Sequence, residues 1–431
     1  MNWTGTRNLD ISSDLKDVLF KGLAPDGGLF MPDNFPKKDI TGKGSLQETG
    51  VELMRSYFSP DIPNNHLEAI AHEALTFPIP VKKLDDTLYV LELFHGPTLA
   101  FKDVGARIMA GLLGFYAESD APLTILAATS GDTGSAVASA FLGKPQFRVV
   151  LLFPEGKVSE IQRQQLTTFG DNVTALEIKG TFDDCQRLVK QAFNDTELRS
   201  EKNLTSANSI NIGRWLPQAI YYVHAWNQMR EIMPNNRALV SVPSGNLGNV
   251  AAGLVAFRHG ARFRKLIAAC NANRTFSDYI ESGKYRPRSS VRTVSNAMDV
   301  GDPSNYERIH AMYEGDVVSI RKRVGASSHT DLETLGRIKH VYEKYGYIAE
   351  PHTAVGFLGI DHQYENFGFE DEPGLVLSTA HPAKFGDVIE QAIDKAPDMP
   401  DRLAACFEKP SNAVAMKNDY TDFKAYLHEI E

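Results

Sequence analysis

One lysine of the chain stands in a setting that favours unusual chemistry. Lys102 follows three apolar residues, Leu99, Ala100 and Phe101, and precedes Asp103, near which a helix is predicted to begin. Apolar surroundings and the positive end of a helix both disfavour an ammonium ion, so the pKa of Lys102 should fall. A neutral lysine amine can form an imine with a carbonyl compound. The ordinary alternative is an exposed lysine in the first turn of a helix. For a lysine considered by itself, this alternative is favoured.

A second segment has the composition of an anion-binding turn. It runs from a predicted strand into a predicted helix and contains Ser244, Gly245, Asn246, Leu247 and Gly248. Its two glycines allow backbone amides to converge on an anion, and the following helix adds its N-terminal dipole. The segment has no P-loop lysine, so a nucleoside triphosphate is not implied. A plain Gly-Asn turn explains the same residues about equally well.

A third segment again joins a predicted strand to a predicted helix. It offers hydroxyls, backbone amides and one carboxylate, from Thr129, Ser130, Gly131, Asp132, Thr133 and Gly134. These groups suit a substrate carboxylate or phosphate together with one polar atom of a cofactor. The alternative is a hydroxyl-rich helix N-cap, which is common in proteins.

Short apolar runs alternate with amphipathic stretches from about residue 85 onward. The predicted strands are 123–128, 148–153, 173–178, 238–242, 265–270 and 375–379. Nearly continuous apolar strands between helices indicate parallel strands covered on both faces, and therefore a doubly wound α/β fold. Ligands of such sheets bind outside the carboxyl ends of the strands, where the three segments lie.

The ends of the chain have a different pattern. Residues 1–80 are richer in helical periodicity, and a proline cluster at 77–80 predicts a boundary there. A second break near residues 396–400 leaves a short C-terminal segment. We therefore predict an N-terminal domain of residues 1–80, a catalytic core of residues 81–395 and a C-terminal segment of residues 396–431.

Composition excludes several classes of function. The 431 residues carry a formal charge of −9 and no basic tract, which argues against nucleic acid as a partner. The sequence has no run of about 18 apolar residues, so it predicts no membrane span, and the first residues do not resemble a signal peptide. Three separated cysteines predict neither a disulfide framework nor a metal site and fit a cytoplasmic protein. An acidic protein with an anionic substrate must concentrate positive potential locally, on specific Arg, Lys or helix-terminus donors.

The three segments together, in this order, resemble the fold-type II pyridoxal-phosphate enzymes, whose fold is that of the tryptophan synthase β chain. Within that group the chain is most similar to the threonine synthase family, in its bacterial and fungal branch. The stretches that carry this resemblance are residues 92–103, 208–214, 295–299 and 379–385. The similarity extends through nearly the whole chain, including the N-terminal stretch 26–30.

The resemblance implies roles for individual residues around pyridoxal phosphate. Lys102 would carry the cofactor, and residues 244–248 would hold its phosphate, mainly through backbone amides. Thr379 matches the family position whose hydroxyl meets the pyridine nitrogen, and a hydroxyl there does not hold a proton on the ring. Asp132 stands where many relatives have an asparagine at the ring hydroxyl of the cofactor.

The substrate implied by the resemblance is O-phosphohomoserine. Arg214 resembles the family's clamp for the substrate phosphate, together with Asn208, Ser209 and Asn211. Thr98 and Thr133 are secondary candidates for that phosphate, and Thr129 and Ser130 are candidates for the substrate carboxylate.

The implied reaction is a β,γ-replacement that gives threonine, with Lys102 as base and acid in turn. Two alternatives stay open: a lyase that stops after elimination, and a silent binding protein on the same fold, which the presence of Lys102 disfavours. The sequence is equally compatible with a monomer and a small homo-oligomer.

Overall fold

The predicted alternation of strands and helices is present in the computed structural model of the chain, which describes residues 1–42, 44–129, 131–233 and 237–430. These residues form two mainly parallel sheets and one small antiparallel sheet. The α/β fold class is therefore confirmed. Within the described ranges, no helix has the length and apolar character needed to cross a membrane.

The strands of the described ranges are numbered in chain order. They are β1 (Trp3–Gly5), β2 (Ser12–Ser13), β3 (Phe30–Pro32), β4 (Val81–Lys83), β5 (Leu88–Glu92), β6 (Leu123–Ala128), β7 (Phe147–Pro154), β8 (Val173–Lys179), β9 (Leu204–Ser206), β10 (Leu239–Pro243), β11 (Lys265–Cys270), β12 (Val324–Ser328), β13 (Gly374–Ser378) and β14 (Ala413–Lys417).

The α-helices of the same ranges are numbered likewise. They are α1 (Leu15–Lys21), α2 (Leu46–Phe58), α3 (Asn64–Ala74), α4 (Lys102–Tyr116), α5 (Asp132–Phe141), α6 (Glu160–Thr167), α7 (Phe182–Asn194), α8 (Thr196–Glu201), α9 (Ile212–Trp215), α10 (Ala219–Ile232), α11 (Gly248–Arg258), α12 (Thr275–Ser282), α13 (Tyr306–Met312), α14 (Val317–Arg323), α15 (Asp331–Tyr345), α16 (Pro351–Phe367), α17 (Gly386–Ile393), α18 (Asp401–Phe407) and α19 (Tyr420–Glu429). Short 3₁₀ helices span Leu216–Gln218, Asn296–Met298 and Pro382–Phe385.

The larger sheet has the strand order β12-β11-β10-β13-β5-β4. All neighbours in it are parallel except β4, which pairs antiparallel with β5 at the edge. Every residue of β10 and of β13 is buried, as expected for strands covered on both faces. Because β10, β13 and β5 are parallel neighbours, the segments that follow them leave the same edge of the sheet.

The second sheet has the order β14-β8-β7-β6-β9, and all its strands are parallel. The segment that contains Asp132 follows β6, and the segment that leads to Arg214 follows the neighbouring strand β9. Each large sheet thus delivers predicted site residues from the ends of adjacent strands.

The N-terminal residues form the small antiparallel sheet, in the order β2-β1-β3, and the helices α1 to α3. Ser45 and Glu48 form a capping box that starts α2. Trp3, Phe30 and Tyr57 are fully buried and belong to the same apolar cluster as the strands of both large sheets. This part of the chain is therefore packed into the main core and can position residues of the site.

The predicted domain boundaries stay predictions. Residues beyond 396 supply β14, which extends the second sheet by pairing with β8, and α19, which packs on α7. Leu427 and Phe423 of α19 are buried in the same apolar cluster as Leu188 of α7.

Candidate active site

Lys102 is the first residue of α4 and follows a loop that is closed by hydrogen bonds. The amide and hydroxyl of Thr98 donate to the buried carboxylate of Asp103, at 2.9 and 2.7 Å. The amide of Phe101 donates to the carbonyl of Thr379 at 2.9 Å. These bonds fix the loop to the segment after β13, so Lys102 and Thr379 belong to one rigid site.

The surroundings of Lys102 favour its neutral form. Its side chain is 16% exposed, and its Nζ lies 3.7 Å from Oδ2 of Asp132. Burial lowers the pKa of Lys102, and the attraction of Asp132 opposes that shift only in part. The nearby cations Lys384 and Arg214 lower the pKa further. The sequence prediction of a lysine with a depressed pKa agrees with this setting.

Asp132 is buried at the start of α5 between two lysines. Its Oδ1 accepts from Nζ of Lys384 at 2.6 Å and from Nε2 of Gln162 at 3.1 Å. Burial alone would raise the pKa of this carboxyl group, but Lys384 and then Lys102 lower it well below its usual range. Asp132 is therefore an ionised carboxylate. Its predicted contact with the ring hydroxyl of the cofactor stays a prediction.

The segment after β10 presents free backbone donors. Leu247 has a left-handed backbone (φ 59°), and α11 begins at Gly248. The amides of residues 245–248 donate to no acceptor among the described residues. Ser244 differs, because its amide donates to Ala269 and its hydroxyl to Val242. The four amides after Ser244, at the positive end of α11, are thus available as donors to an anion.

Side chains on both sides hold this turn in place. A Cβ on Gly245 would lie 2.7 Å from Cα of Met298, so only glycine allows this close approach. Asn246 donates to the hydroxyl of Ser209 at 3.0 Å and accepts from the amide of Ser304 at 2.6 Å. Ser209, a predicted substrate residue, is therefore in contact with the turn predicted to hold the cofactor phosphate.

Thr379 lies above a buried carboxylate. Its hydroxyl donates to Oε1 of Glu350 at 3.3 Å. Glu350 is fully buried and also accepts from the amides of His352 and Thr353 at the start of α16. Nε2 of His352 accepts from the amide of Ala297 at 3.1 Å, so its proton is on Nδ1, which contacts Glu350 at 2.5 Å. His352 is a packed structural histidine and no free base.

Arg214 is a buried cation without an anionic partner. It is 4% exposed, and no carboxylate oxygen of the described residues lies within 4 Å of its guanidinium nitrogens. Nη1 donates to the carbonyl of Ala207 at 2.6 Å, whereas Nε has no partner. Burial lowers the pKa of Arg214 to about 10. A buried guanidinium of this kind requires an anionic ligand to satisfy its remaining donors.

The residues before Arg214 divide into two groups. Asn211 caps α9 and donates to the carbonyls of Leu19 and Ser206, so its amide protons are engaged within the protein. Asn208 has a buried Oδ1 without a partner, and its side chain is available for a ligand. Ser209 accepts from two asparagines and keeps its own proton free. Asn208 and Ser209 therefore suit a ligand contact better than Asn211.

The four looser candidates are placed as follows. The Thr98 hydroxyl is engaged with Asp103, and the Thr129 hydroxyl bonds within its own turn, to Gly131 and Gly134. Thr133 is half-buried in the first turn of α5. Ser130 lies outside the described residues. All four stay predictions, and in this arrangement Thr98 and Thr129 have no free hydroxyl proton to donate.

One buried arginine ties the substrate segment to the N-terminal residues. Arg308 of α13 donates to the carbonyls of Phe30, Ser209 and Ile210, at 2.5 to 3.3 Å. Its guanidinium lies 4.3 Å from the centroid of Trp215. The carbonyl positions next to the predicted phosphate clamp are therefore set in part by β3.

Sequence reasoning assigned no role to three residues of this site: Lys384, Glu350 and Arg308. Lys384 is bracketed by Ala383 and Phe385, the same apolar signature that drew attention to Lys102. Glu350 and Arg308 gave no comparable signal, because their partners come from distant parts of the chain.

The residues present fit pyridoxal phosphate. Four unsatisfied amides at a helix N-terminus suit its phosphate, and a buried lysine with a lowered pKa suits its aldehyde. The hydroxyl of Thr379 and the carboxylate of Asp132 would supply polar groups for the ring. No cluster of metal-ligating side chains is found in the described part of the chain.

Comparison with known families agrees with this fit. Residues 73–378 match the family described as pyridoxal-phosphate dependent enzyme. Residues 2–75 match the family described as threonine synthase N terminus, and residues 353–427 match the threonine synthase C-terminal family. Together these matches cover almost the whole chain.

Individual relatives and solved structures that are similar to the chain are named threonine synthase as well. The chain is 40% identical over 430 residues to the threonine synthase of Haemophilus influenzae, covering 99% of both chains. It is 40% identical over 412 residues to that of Escherichia coli, covering 94% of both. The crystal structure of the Escherichia coli enzyme superimposes with a TM-score of 0.92 at 37% identity, covering 99% of both chains.

Two further structures extend this similarity. The pyridoxal-phosphate-bound threonine synthase of Brucella melitensis has a TM-score of 0.89 at 34% identity, over 99% of this chain and 98% of that one. Maize serine racemase, at 16% identity and a TM-score of 0.56, shares the fold alone. The similarity in sequence, fold and site leads to one conclusion: the chain belongs to the threonine synthase family of pyridoxal-phosphate-dependent enzymes.

Proposed function

We propose that the chain converts O-phospho-L-homoserine and water into L-threonine and phosphate. The observation that carries this choice of substrate is the buried guanidinium of Arg214, which has an unpartnered Nε and, among the residues that the structure describes, no carboxylate within 4 Å. A phosphate monoester supplies the acceptors that such a group needs. Each hydrogen bond to a charged group contributes about 1.5–3 kcal/mol, against about 0–1 kcal/mol for an exposed ion pair.

The remaining substrate contacts are proposed from what is free in the site. Asn208 follows Ala207, whose carbonyl contacts Arg214, and Ser209 keeps its hydroxyl proton free. The amide NH2 of Asn208 and the hydroxyl of Ser209 would therefore donate to the substrate phosphate together with Arg214. Asn211 and Thr98 would act through the segments that they fix. Thr133, in the first turn of α5, is proposed as a further contact of the substrate phosphate, and Thr129 and Ser130 stay the candidates for the substrate carboxylate.

Lys102 is proposed as the catalytic group. When bound, pyridoxal phosphate supplies an electron-withdrawing ring that makes the α-proton of the substrate acidic. The lowered pKa of Lys102 makes its neutral amine accessible in this site, so its Nζ can take that proton and later return a proton. The residues 245–248 and Thr379 would hold the cofactor in register with Lys102.

The overall reaction balances as follows. Cβ loses a proton, and the bond between Cγ and the phosphate oxygen breaks, so that the electron pair leaves with the phosphate. Cγ gains a proton, and a water molecule adds its hydroxyl at Cβ. The one proton left over leaves on the released phosphate. Arg214 would hold the phosphate before and after this bond breaks, because it is a buried cation whose Nε has no partner.

A product analysis tests the proposal. The chain loaded with pyridoxal phosphate is supplied with O-phosphohomoserine, and inorganic phosphate, threonine and 2-oxobutyrate are measured. Equal amounts of phosphate and threonine are expected, and Lys102→Ala should release neither. Formation of 2-oxobutyrate without threonine would instead make the chain a lyase. Absence of phosphate release would leave a binding protein.

We also propose that the enzyme works in the cytoplasm, as a monomer or small homo-oligomer. All three cysteines, Cys185, Cys270 and Cys406, are free thiols, which fits a reducing compartment.

A further inference from the structure

A second lysine lies in the site and takes no part in the mechanism above. Lys384 is fully buried in the 3₁₀ helix Pro382–Phe385. Its Nζ contacts Oδ1 of Asp132 at 2.6 Å and the carbonyl oxygen of Thr98 at 3.0 Å. Nζ of Lys102 lies 3.7 Å from Oδ2 of the same carboxylate. One carboxylate is thus shared by two lysines, and the shorter contact is with Lys384.

The shared carboxylate can balance only one ammonium ion. A buried ammonium without an anion is costly, so the two lysines do not both stay charged beside Asp132. Lys384 has the closer contact and a carbonyl acceptor in addition. Lys102 has the more distant oxygen and, besides it, the ring of Phe101, whose centroid lies 4.9 Å from its Nζ. The geometry therefore favours Lys384 over Lys102 as the ion-pair partner of Asp132.

Other charged groups face this pair, and two of them, Asp103 and His381, also interact with Lys384. Arg214 favours a neutral Lys102, and Glu350 opposes it. His352 acts on Asp132, and Gln162 donates a neutral hydrogen bond to it. None of these groups stands between Lys384 and Asp132, so the contribution of Lys384 can be measured separately.

We propose that Lys384 is a positioning residue that engages Asp132 as its ion-pair partner and thereby prevents the carboxylate from holding Lys102 as an ammonium ion. Without Lys384, Asp132 would be a buried anion whose nearest cation is Lys102, and it would favour the charged form. The inference rests on the proposed function only in taking Lys102 as the reacting amine.

The test measures Lys102 directly, in the full chain freed of cofactor with hydroxylamine. A pulse of acetic anhydride labels neutral amines, and peptide mass spectrometry compares Lys102 with Lys339, which is 61% exposed and serves as internal reference. In Lys384→Gln the labelling of Lys102 at about pH 8 should fall about tenfold or more, because an opposite charge at this distance shifts the pKa of an amine by at least about one unit. The labelling profile should move to higher pH.

Three further variants decide between charge and packing. Lys384→Met replaces the charge by an apolar chain of similar length and should slow the labelling of Lys102 likewise. This variant takes the place of Lys384→Gln if the latter does not fold. Lys384→Arg keeps the cation and should stay close to the parent. Adding Asp132→Asn to Lys384→Gln should restore fast labelling, because the anion that would hold Lys102 is then gone.

A purely structural Lys384 gives a different result. Folded Gln and Met variants that label Lys102 with the parent's pH profile would overturn the inference, and so would slow labelling that persists in the double variant. The proposed reaction is not at stake in this experiment, because no substrate or product enters it.

Discussion

Gly105 and Arg214 are in direct contact: a Cβ on Gly105 would lie 2.6 Å from the carbonyl oxygen of Arg214 and 3.4 Å from its Nε. Gly105 lies three residues after Lys102 in α4, so this approach sets the distance between the reacting amine and the phosphate clamp. Gly105→Ala should push α9 away and raise KM for O-phosphohomoserine about tenfold or more, with a smaller change in kcat. Steady-state kinetics measure the effect.

Another glycine of α4 provides the matched control. A Cβ on Gly114 would meet only Nε2 of Gln146, at 3.8 Å. Gly114→Ala should leave KM unchanged and raise the free energy of unfolding by up to about 1 kcal/mol, because alanine is the better helix former. Equal KM values in the two variants would show that the contact with Arg214 does not position the clamp.

Removal of the guanidinium itself should be more severe. Arg214→Gln loses at least two charge-assisted hydrogen bonds to the substrate phosphate, so kcat/KM should fall about 100-fold or more. Inhibition by inorganic phosphate should weaken in parallel. Arg163→Gln is the control, because Arg163 is 38% exposed and pairs with Glu177 at the surface, where a loss below about 1 kcal/mol is expected. Unchanged phosphate inhibition in Arg214→Gln would place the clamp elsewhere.

Gly245→Ala should weaken cofactor binding. The added Cβ would lie 2.7 Å from Cα of Met298, and because that atom belongs to the backbone the turn must move. Displacement of the amides 245–248 should raise the dissociation constant of pyridoxal phosphate about tenfold or more. Titration followed by visible absorbance gives the constant. Gly336→Ala in α15, where a Cβ would meet nothing within 4 Å, should bind the cofactor as the parent does.

The fully buried His259 predicts a pH-dependent stability. It contacts the carbonyl of Lys38 at 3.0 Å and the hydroxyl of Tyr57 at 2.9 Å, and burial lowers its pKa to about 4. Below the unfolded pKa of about 6.5 the unfolded chain binds a proton that the folded chain does not. The free energy of unfolding should therefore decrease as pH falls from about 6.5 to about 4, by about 3 kcal/mol in total.

Urea unfolding at neutral and acidic pH measures this loss. His259→Asn removes the titrating group, so its free energy of unfolding should change less with pH than that of the parent. His329, whose pKa burial also lowers to about 4, titrates in both proteins and cancels in the comparison. The same pH dependence in parent and variant would contradict the assignment.

Strand patterns were predicted well from the sequence where burial makes them continuous. The strand predicted at 123–128 coincides with β6, and the one predicted at 265–270 coincides with β11. Strands without a continuous apolar run were not predicted. Gly325, Ser327 and Ser328 leave β12 without an apolar run, and the partly exposed β14 is held by its pairing with β8. Pairing across the sheet, which no local pattern contains, decides such edge strands.

The loops of the site could be predicted from the sequence, whereas the hydrogen bonds within the site could not. Glycines and small polar residues after apolar strands located Lys102, Asp132 and the 244–248 turn. The engagement of Asn211 with the carbonyl of Leu19, or of Thr98 with Asp103, depends on the folded geometry. The charge compensation of Asp132 could not be predicted either, because its partner Lys384 comes from the 3₁₀ helix near the end of the core.

The bonds of Arg308 have a consequence for how this enzyme can change. Its acceptors in Phe30, Ser209 and Ile210 are all backbone carbonyls, so substitutions at these three positions leave the bonds chemically intact. Homologous exchange of the first thirty-odd residues should therefore be tolerated wherever the course of β3 is kept. Deletion of them should not, because it removes the acceptor of Nε of Arg308 and uncovers this buried guanidinium beside the substrate clamp. The N-terminal module is interchangeable between relatives but not dispensable.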